Sequence, residues 1–214
     1  MDHSSFIVRD GWPFVFLFGG FAIASALFGA GWLTGLLVVL MAFCAWFFRN
    51  PERKIPDEQN VVLSPADGRI IKIEDNFVID DIAKGSFKKI SIFMNVFNVH
   101  VNRVPYSGKV AAIGYKKGKF LSANLDKAYE LNEKNSVLIK TDGGREVLVV
   151  QIAGLIARRI VCWLKEGMLV RRGERFGLIR FGSRLEVFLP CDSRISVEIG
   201  DKVRAGETPI GYLK

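Results

Sequence analysis

Few side chains in this sequence can move a proton at neutral pH. There are two histidines, His3 in the N-terminal tail and His100 in the segment Phe97-Asn-Val-His-Val-Asn-Arg-Val-Pro105. An imidazole titrates near neutrality without special help, so His100 is the leading general-base candidate. Period-two alternation puts Asn98, His100 and Asn102 on one strand face, opposite Val99, Val101 and Arg103. A polar strip bounded by apolar residues predicts a cleft lining; a hydrogen-bonded surface histidine is the plainer reading of the same pattern. Asp67 sits in Ser64-Pro-Ala-Asp-Gly68. Asp before Gly commonly forms a turn, and a carboxylate can also orient and charge an imidazole.

The third candidate is Gly182-Ser183, in Arg180-Phe-Gly-Ser-Arg-Leu-Glu-Val-Phe-Leu-Pro190. Between two apolar strands this pair reads first as a β-turn. In a strained turn, however, the serine hydroxyl can attack the preceding carbonyl, which is least hindered when it belongs to glycine. The resulting ester can β-eliminate to dehydroalanine, which hydrolyses to an N-terminal pyruvoyl group. A positioned base must activate the hydroxyl and remove the α-proton. The sequence has no metal-binding cluster, P-loop, dinucleotide fingerprint or Gly-x-Ser-x-Gly elbow to compete for the chemistry. Cys44, Cys162 and Cys191 lie far apart, which argues against a disulfide framework or zinc site and fits a reducing cytoplasm.

These groups need a scaffold, and the sequence divides into an apolar run and a strand-rich remainder. From Pro13 to Phe48 there is no charged residue. The run is too long for one vertical span of ~20 residues and short for two full ones. Gly29-Ala30-Gly31 divides it into Phe14–Phe28 and Trp32–Phe48, which favours a short helical hairpin over one ragged span. A buried soluble hairpin is the other reading; a signal peptide is disfavoured by the length and the lack of a cleavage site. Arg49, Arg53 and Lys54 follow the run, which predicts a membrane-anchored domain on the cytoplasmic side. Trp46, Phe47 and Phe48 fit an interfacial belt.

Residues 49–60 form a polar linker with two prolines, and 61–214 read as one β-rich domain. Strands are expected at 61–63, 69–73, 88–93, 108–114, 136–141, 147–153, 175–179, 185–189, 196–199 and 210–213. Ile152–Leu164, with apolar residues at helical spacing, is expected as a helix. A weak repeat relates 166–179 to 199–213: an acidic/Gly turn, Val, a basic residue, Gly-Glu, then a second Gly before an apolar strand. This phrasing resembles the hammerhead turns of biotinyl/lipoyl-like barrels, and Ser64–Ile70 reads as a further such turn.

The net charge of +8 lies upstream of Ser183, since 183–214 hold five basic and five acidic residues. Seven basic residues against two acidic ones fall between Ala157 and Arg180. No zinc knuckle, RNP-like motif or recognition helix supports nucleic acid as the partner. Beside an apolar anchor, the excess fits anionic lipid headgroups, at about 1 kcal/mol per basic residue near the surface.

Taken in order, Phe47-Phe-Arg-Asn-Pro-Glu-Arg53, Ser64-Pro-Ala-Asp-Gly68, Asn98-Val-His-Val-Asn-Arg-Val-Pro105, Asn132-Glu-Lys-Asn-Ser136, Gln151-Ile-Ala-Gly-Leu-Ile-Ala-Arg-Arg-Ile160 and Arg180-Phe-Gly-Ser-Arg184 resemble the short bacterial/archaeal type of phosphatidylserine decarboxylase. The resemblance implies self-cleavage at Gly182-Ser183 into a larger subunit (1–182) and a small one (183–214), which stay together as a heterodimer. It implies that Ser183 becomes the pyruvoyl group, and that His100 and Asp67 match the family's histidine and aspartate. It further implies decarboxylation of phosphatidylserine to phosphatidylethanolamine through a Schiff base, at a cell membrane that holds the substrate. Arg103 stands where longer members carry a second histidine, so a two-histidine mechanism does not transfer. Arg184 stands where longer members carry a further Ser or Thr. Three rival readings predict different outcomes: a related serine lipid such as archaetidylserine as substrate, a non-catalytic membrane adaptor, and a serine hydrolase using Ser183 and His100.

Overall fold

The computed structural model describes residues 5–80, 82–122, 128–154, 159–180 and 183–214. They fall into two compact units, Met1–Glu52 and Arg53–Lys214. In the first, α1 (Trp12–Leu27) and α2 (Gly31–Phe47) pack on each other as a hairpin. Gly29 supplies the positive φ that turns the chain between them. The two helices are pinned near the turn by Ser25 Oγ and Thr34 Oγ1 at 2.7 Å, and near the open end by Phe14 stacked on Phe48. Phe16, Phe21, Ile23, Leu27, Trp32 and Val39 point outward, so the hairpin is apolar outside as well as inside. The helical stretch Arg9–Leu27, 19 residues long, is long and apolar enough to cross a membrane.

The second unit is β-rich. Its strands are β1 (Val61–Leu63), β2 (Gly68–Asp80), β3 (Lys84–Met94), β4 (Val101–Arg103), β5 (Gly108–Lys116), β6 (Lys134–Lys140), β7 (Glu146–Ala153), β8 (Ile160–Cys162), β9 (Leu169–Val170), β10 (Arg175–Ile179), β11 (Ser183–Pro190), β12 (Arg194–Ile195), β13 (Lys202–Val203) and β14 (Pro209–Tyr212), with a one-turn helix α3 (Ala128–Leu131). Among the described residues they form an eight-stranded antiparallel sheet, β13-β2-β3-β11-β7-β6-β5-β9, and two three-stranded sheets, β1-β14-β12 and β4-β10-β8. β7 and β11 lie at the centre and are buried on both faces. On β11, Leu185, Val187 and Leu189 join the main core with Val62, Ile90, Ile92, Val149 and Phe176. Phe188 faces the other way, into a second cluster with Phe87, Leu148, Val150 and Ile152.

The sheet orders are palindromic, and the registers show why. Gly68–Ile70 and Gly108–Val110 begin equivalent strands: β2 pairs with β3 through Arg69↔Phe93 and Ile70↔Ile92, then bulges to Lys72↔Ser91. β5 pairs with β6 through Lys109↔Lys140 and Val110↔Ile139, then bulges to Ala112↔Leu138. Leu63 N donates to Pro105 O at 3.0 Å, and Arg103 N donates to Pro65 O at 2.9 Å. A pseudo-two-fold axis therefore exchanges β1–β3 with β4–β6 and β11–β14 with β7–β10, passing by the Val187↔Val149 pair.

The 166–179/199–213 repeat is the part of this symmetry visible in sequence. Gly167 and Gly200 have φ +84° and +101°, and Gly173 and Gly206 have +81° and +74°. A side chain would cost about 1–2 kcal/mol at such a φ. Gly173 N donates to Val104 O and Gly206 N to Ser64 O, at 2.7 and 2.8 Å. The Ser64–Ile70 turn takes part, and its unforeseen twin is Val104–Val110.

Two expected elements differ. Ile152–Leu164 is not helical at either end: Ile152 and Ala153 finish β7, and Ile160–Cys162 form β8, while Leu155–Arg158 fall outside the described residues. Cross-strand pairing of Ile160 and Val161 with Ile179 and Leu178 satisfies their backbone better than a helix end would. The strand expected at 196–199 is displaced to Arg194–Ile195, because Glu198–Gly200 are taken up by the turn in which Glu198 N donates to Asp201 Oδ2.

Candidate functional site

Ser183 opens β11 and is fully buried. It is ladder-paired on both sides, with Met94 of β3 and with Ala153 of β7. Its hydroxyl donates to Met94 Sδ at 3.4 Å. A thioether can only accept, and weakly, so the contact fixes the hydroxyl without tying up its lone pairs. Gly182 lies outside the described residues, as do His3 and Arg158.

The same sulfur accepts from Asn102 Nδ2 at 3.8 Å. Asn102 Oδ1 accepts from Gln151 Nε2 at 2.8 Å, and Gln151 Oε1 accepts from Asn135 Nδ2 at 3.0 Å. All three amides are buried. Gln151 and Asn135 point to the main-core face of the sheet, in line with Val147, Val149 and Ala153 on β7 and with Val137 and Ile139 on β6. Cys162 lies beside Asn135; burial pushes its thiol up, while hydrogen bonds to the Leu164 backbone and Asn135 pull the other way. A thiol held up in this way is a poor nucleophile at neutral pH.

His100 is 2% exposed and immediately precedes β4. Its Nδ1 lies 2.9 Å from Asn98 O. A carbonyl can only accept, so Nδ1 carries the proton and Nε2 is left as the basic nitrogen. The strand is shorter than the alternation predicts, because Asn98 belongs to a tight turn in which its Oδ1 accepts from Asn95 N at 2.9 Å. Nor is the segment two-faced, since Val99 to Val104 are all buried. Arg103 donates to Gly173 O at 2.8 Å and packs under Gly206, holding the two hammerhead turns together.

Asp67 ties its own segment to a distant turn: its Oδ1 accepts from Ala205 N at 2.8 Å, as Ser107 Oγ does from Arg172 N at 3.0 Å at the twin position. It also holds Arg53 Nη2 through both oxygens, at 3.0 and 2.8 Å. Arg53 bonds Glu207 as well, and Ile55 packs on Gly173. Residues from the expected linker are thus docked on the β-rich unit.

Asn102 figures in the sequence only as part of a polar strip lining a cleft, and Met94, Gln151 and Asn135 were missed as site residues. Gln151 and Asn135 carried a signal, as polar residues in register with an apolar strand face; Met94 carried none.

A sequence model of the family described as phosphatidylserine decarboxylase matches residues 40–211. The chain is 54% identical to a phosphatidylserine decarboxylase proenzyme of Syntrophus aciditrophicus over 212 residues, covering 99% of each sequence. It is 48% identical to the proenzyme of Desulfotalea psychrophila, covering 97% of this chain and 96% of that one. Against that of Magnetococcus marinus it is 46% identical, covering 100% and 98%. With the match running from within α2 into β14, the chain belongs to the phosphatidylserine decarboxylase family.

Proposed function

We propose that this protein is a self-processing, pyruvoyl-dependent decarboxylase of phosphatidylserine, cut between Gly182 and Ser183. The observation that carries the reading is the setting of Ser183: a buried serine at the head of a central strand, its hydroxyl turned onto an acceptor that cannot compete for its lone pairs. The Ser183 oxygen attacks the Gly182 carbonyl, the C–N bond breaks, the hydroxyl proton passes to the freed Ser183 nitrogen, and an ester forms. A base then takes the Ser183 α-proton, Gly182 leaves as a carboxylate, and water hydrolyses the dehydroalanine with loss of ammonia. His100 fits the base through Nε2, because the Asn98 carbonyl holds a ring proton on Nδ1. Pairing on both sides of Ser183 suits the product, because the ladder that grips β11 holds the new terminus after the cut.

The pyruvoyl group, once formed, supplies an electron sink for loss of CO₂ from the substrate's α-carbon. This chain's residues do the rest: His100 returns a proton to that carbon, and the buried walls around Ser183 exclude bulk water. Grouping Asp67 with His100 and Ser183 draws support from the pseudo-two-fold. Their counterparts Ser107, Asn60 and Arg145 line one open pocket of about 360 Å³, together with Thr141, the counterpart of Met94. Asp67, held by Arg53, contributes the negative charge of the site. The basic stretch 158–180 meets the headgroup phosphate, and the apolar hairpin keeps the enzyme at the cytoplasmic face of the cell membrane, where its substrate resides.

Borohydride reduction during turnover tests the chemistry. A covalent adduct between substrate and the 183–214 fragment is expected; an unlabelled, intact 214-residue chain that still decarboxylates would contradict it.

A further inference from the structure

The pseudo-two-fold provides an internal control on which core residues the fold itself requires. Its operation carries Asn102 to Val62, Gln151 to Leu189 and Asn135 to Lys88, as the ladder positions show: Asn102↔Gly177 against Val62↔Gly211, and Asn135↔Gln151 against Lys88↔Leu189. The environments match closely. A Cβ on Gly177 would sit 3.2 Å from Gln151 Nε2, and one on Gly211 would sit 3.3 Å from Leu189 Cδ1. In the second half the positions are filled by the fully buried apolar Val62 and Leu189, while Lys88 sends its ammonium out to Ser193 O.

One backbone arrangement therefore closes with an apolar core in one half and a chain of buried amides in the other. Exchanging a bonded polar pair for apolar groups of like shape is close to neutral, whereas losing one partner leaves a buried polar group unsatisfied and destabilises. The amide chain is thus a liability for stability that the fold demonstrably does without. It runs in one direction, Asn135 to Gln151 to Asn102 to Met94, and ends on the sulfur that accepts from Ser183.

We infer that Asn102, Gln151 and Asn135 are positioning residues that fix the Met94 thioether, and through it the Ser183 hydroxyl, for attack on the Gly182 carbonyl. The inference rests on the self-cleavage reading. Without the amide donor the Met94 side chain, with its three soft torsions, is free to change rotamer. The hydroxyl then loses its fixed direction, and a misplacement of about 1 Å costs on the order of 100-fold in rate.

The test transplants the second half's solution: full-length Asn102→Val/Gln151→Leu, purified beside the wild type. The account expects a cooperative thermal transition, lowered only by the loss of the Gln151 acceptor for Asn135 Nδ2, together with uncut 214-residue chain persisting about 100 times longer. Hydroxylamine, which splits an accumulated ester, leaves that chain uncut, because the defect precedes ester formation. Cleavage at the wild-type rate overturns the inference, as does rapid hydroxylamine cutting, which would put the defect in the later elimination. Loss of the cooperative transition also overturns it, since the amides would then be structural. If the wild type itself is never cut, the failure belongs to the self-cleavage reading instead.

Discussion

At the scale of single residues, His100 draws notice in the sequence because it is scarce: one imidazole lies outside the N-terminal tail, and it is followed by a strand that stops at proline. Its surroundings were not legible, because the alternation gave no sign that the valine side is buried as deeply as the histidine side. His100→Gln is expected to leave the fold in place and to let the uncut chain accumulate, read as one band on a denaturing gel. Asp67 reads in sequence as a turn residue, and its carboxylate instead reaches across the fold to Ala205 N. The Arg53 pair was not legible, since it joins residues on either side of an expected linker. With side chains 8% and 13% exposed, that pair is sensitive to truncation: Asp67→Ala leaves Arg53 with Glu207 alone and costs about 1–3 kcal/mol in denaturant unfolding. The Met94 contact could not be read from sequence at all, because a methionine in an apolar strand has the same signature whether it fills space or accepts a hydrogen bond.

At the scale of elements, the strand pattern was legible wherever side chains alternate or β-branched residues run together, and the helical hairpin was legible from its glycine break. The reading of Ile152–Leu164 failed because apolar spacing alone does not separate a helix from a strand end, a loop and a second strand. The hammerhead repeat was legible through four glycines that conformation demands. Its extension to β1–β6 was hidden, because Ser64-Pro-Ala-Asp-Gly68 and Val104-Pro-Tyr-Ser-Gly108 share only Pro and Gly. Gly206→Ala is therefore expected to cost more than the strained φ alone, since its Cβ would lie 2.8 Å from Arg103 Cδ; about 2–4 kcal/mol is the expectation in thermal or denaturant unfolding. On the face of β11 opposite Ser183, Glu186 is fully buried against Arg184 at 2.7 Å and Lys89 at 3.6 Å. Glu186→Leu takes the carboxylate away from Arg184 while Lys89 keeps Glu74 at 2.9 Å, with an expected loss of about 3 kcal/mol in the same measurement.

At the scale of the whole molecule, the sequence separates an apolar hairpin from a β-rich unit, and the two compact units divide within the polar stretch 49–60. What it could not reveal is that half of the β-rich unit is a pseudo-symmetric copy of the other half, so that the candidate site draws residues from both copies and a turn ending in Gly144-Arg145 stands at the place equivalent to Gly182-Ser183. Removal of residues 1–48 is expected to shift the protein from the membrane pellet to the soluble fraction without loss of the β-rich fold, read by fractionation and circular dichroism. The central claim is that this architecture exists to break one of its own peptide bonds and keep the product in place. The most direct test is the intact mass of the purified full-length protein beside Ser183→Ala. The account predicts two fragments in the wild type, the smaller matching residues 183–214 less one ammonia, and a single uncut chain in the variant. A wild type that remains one chain of 214 residues, or a small fragment that keeps an ordinary N-terminal serine, would contradict it.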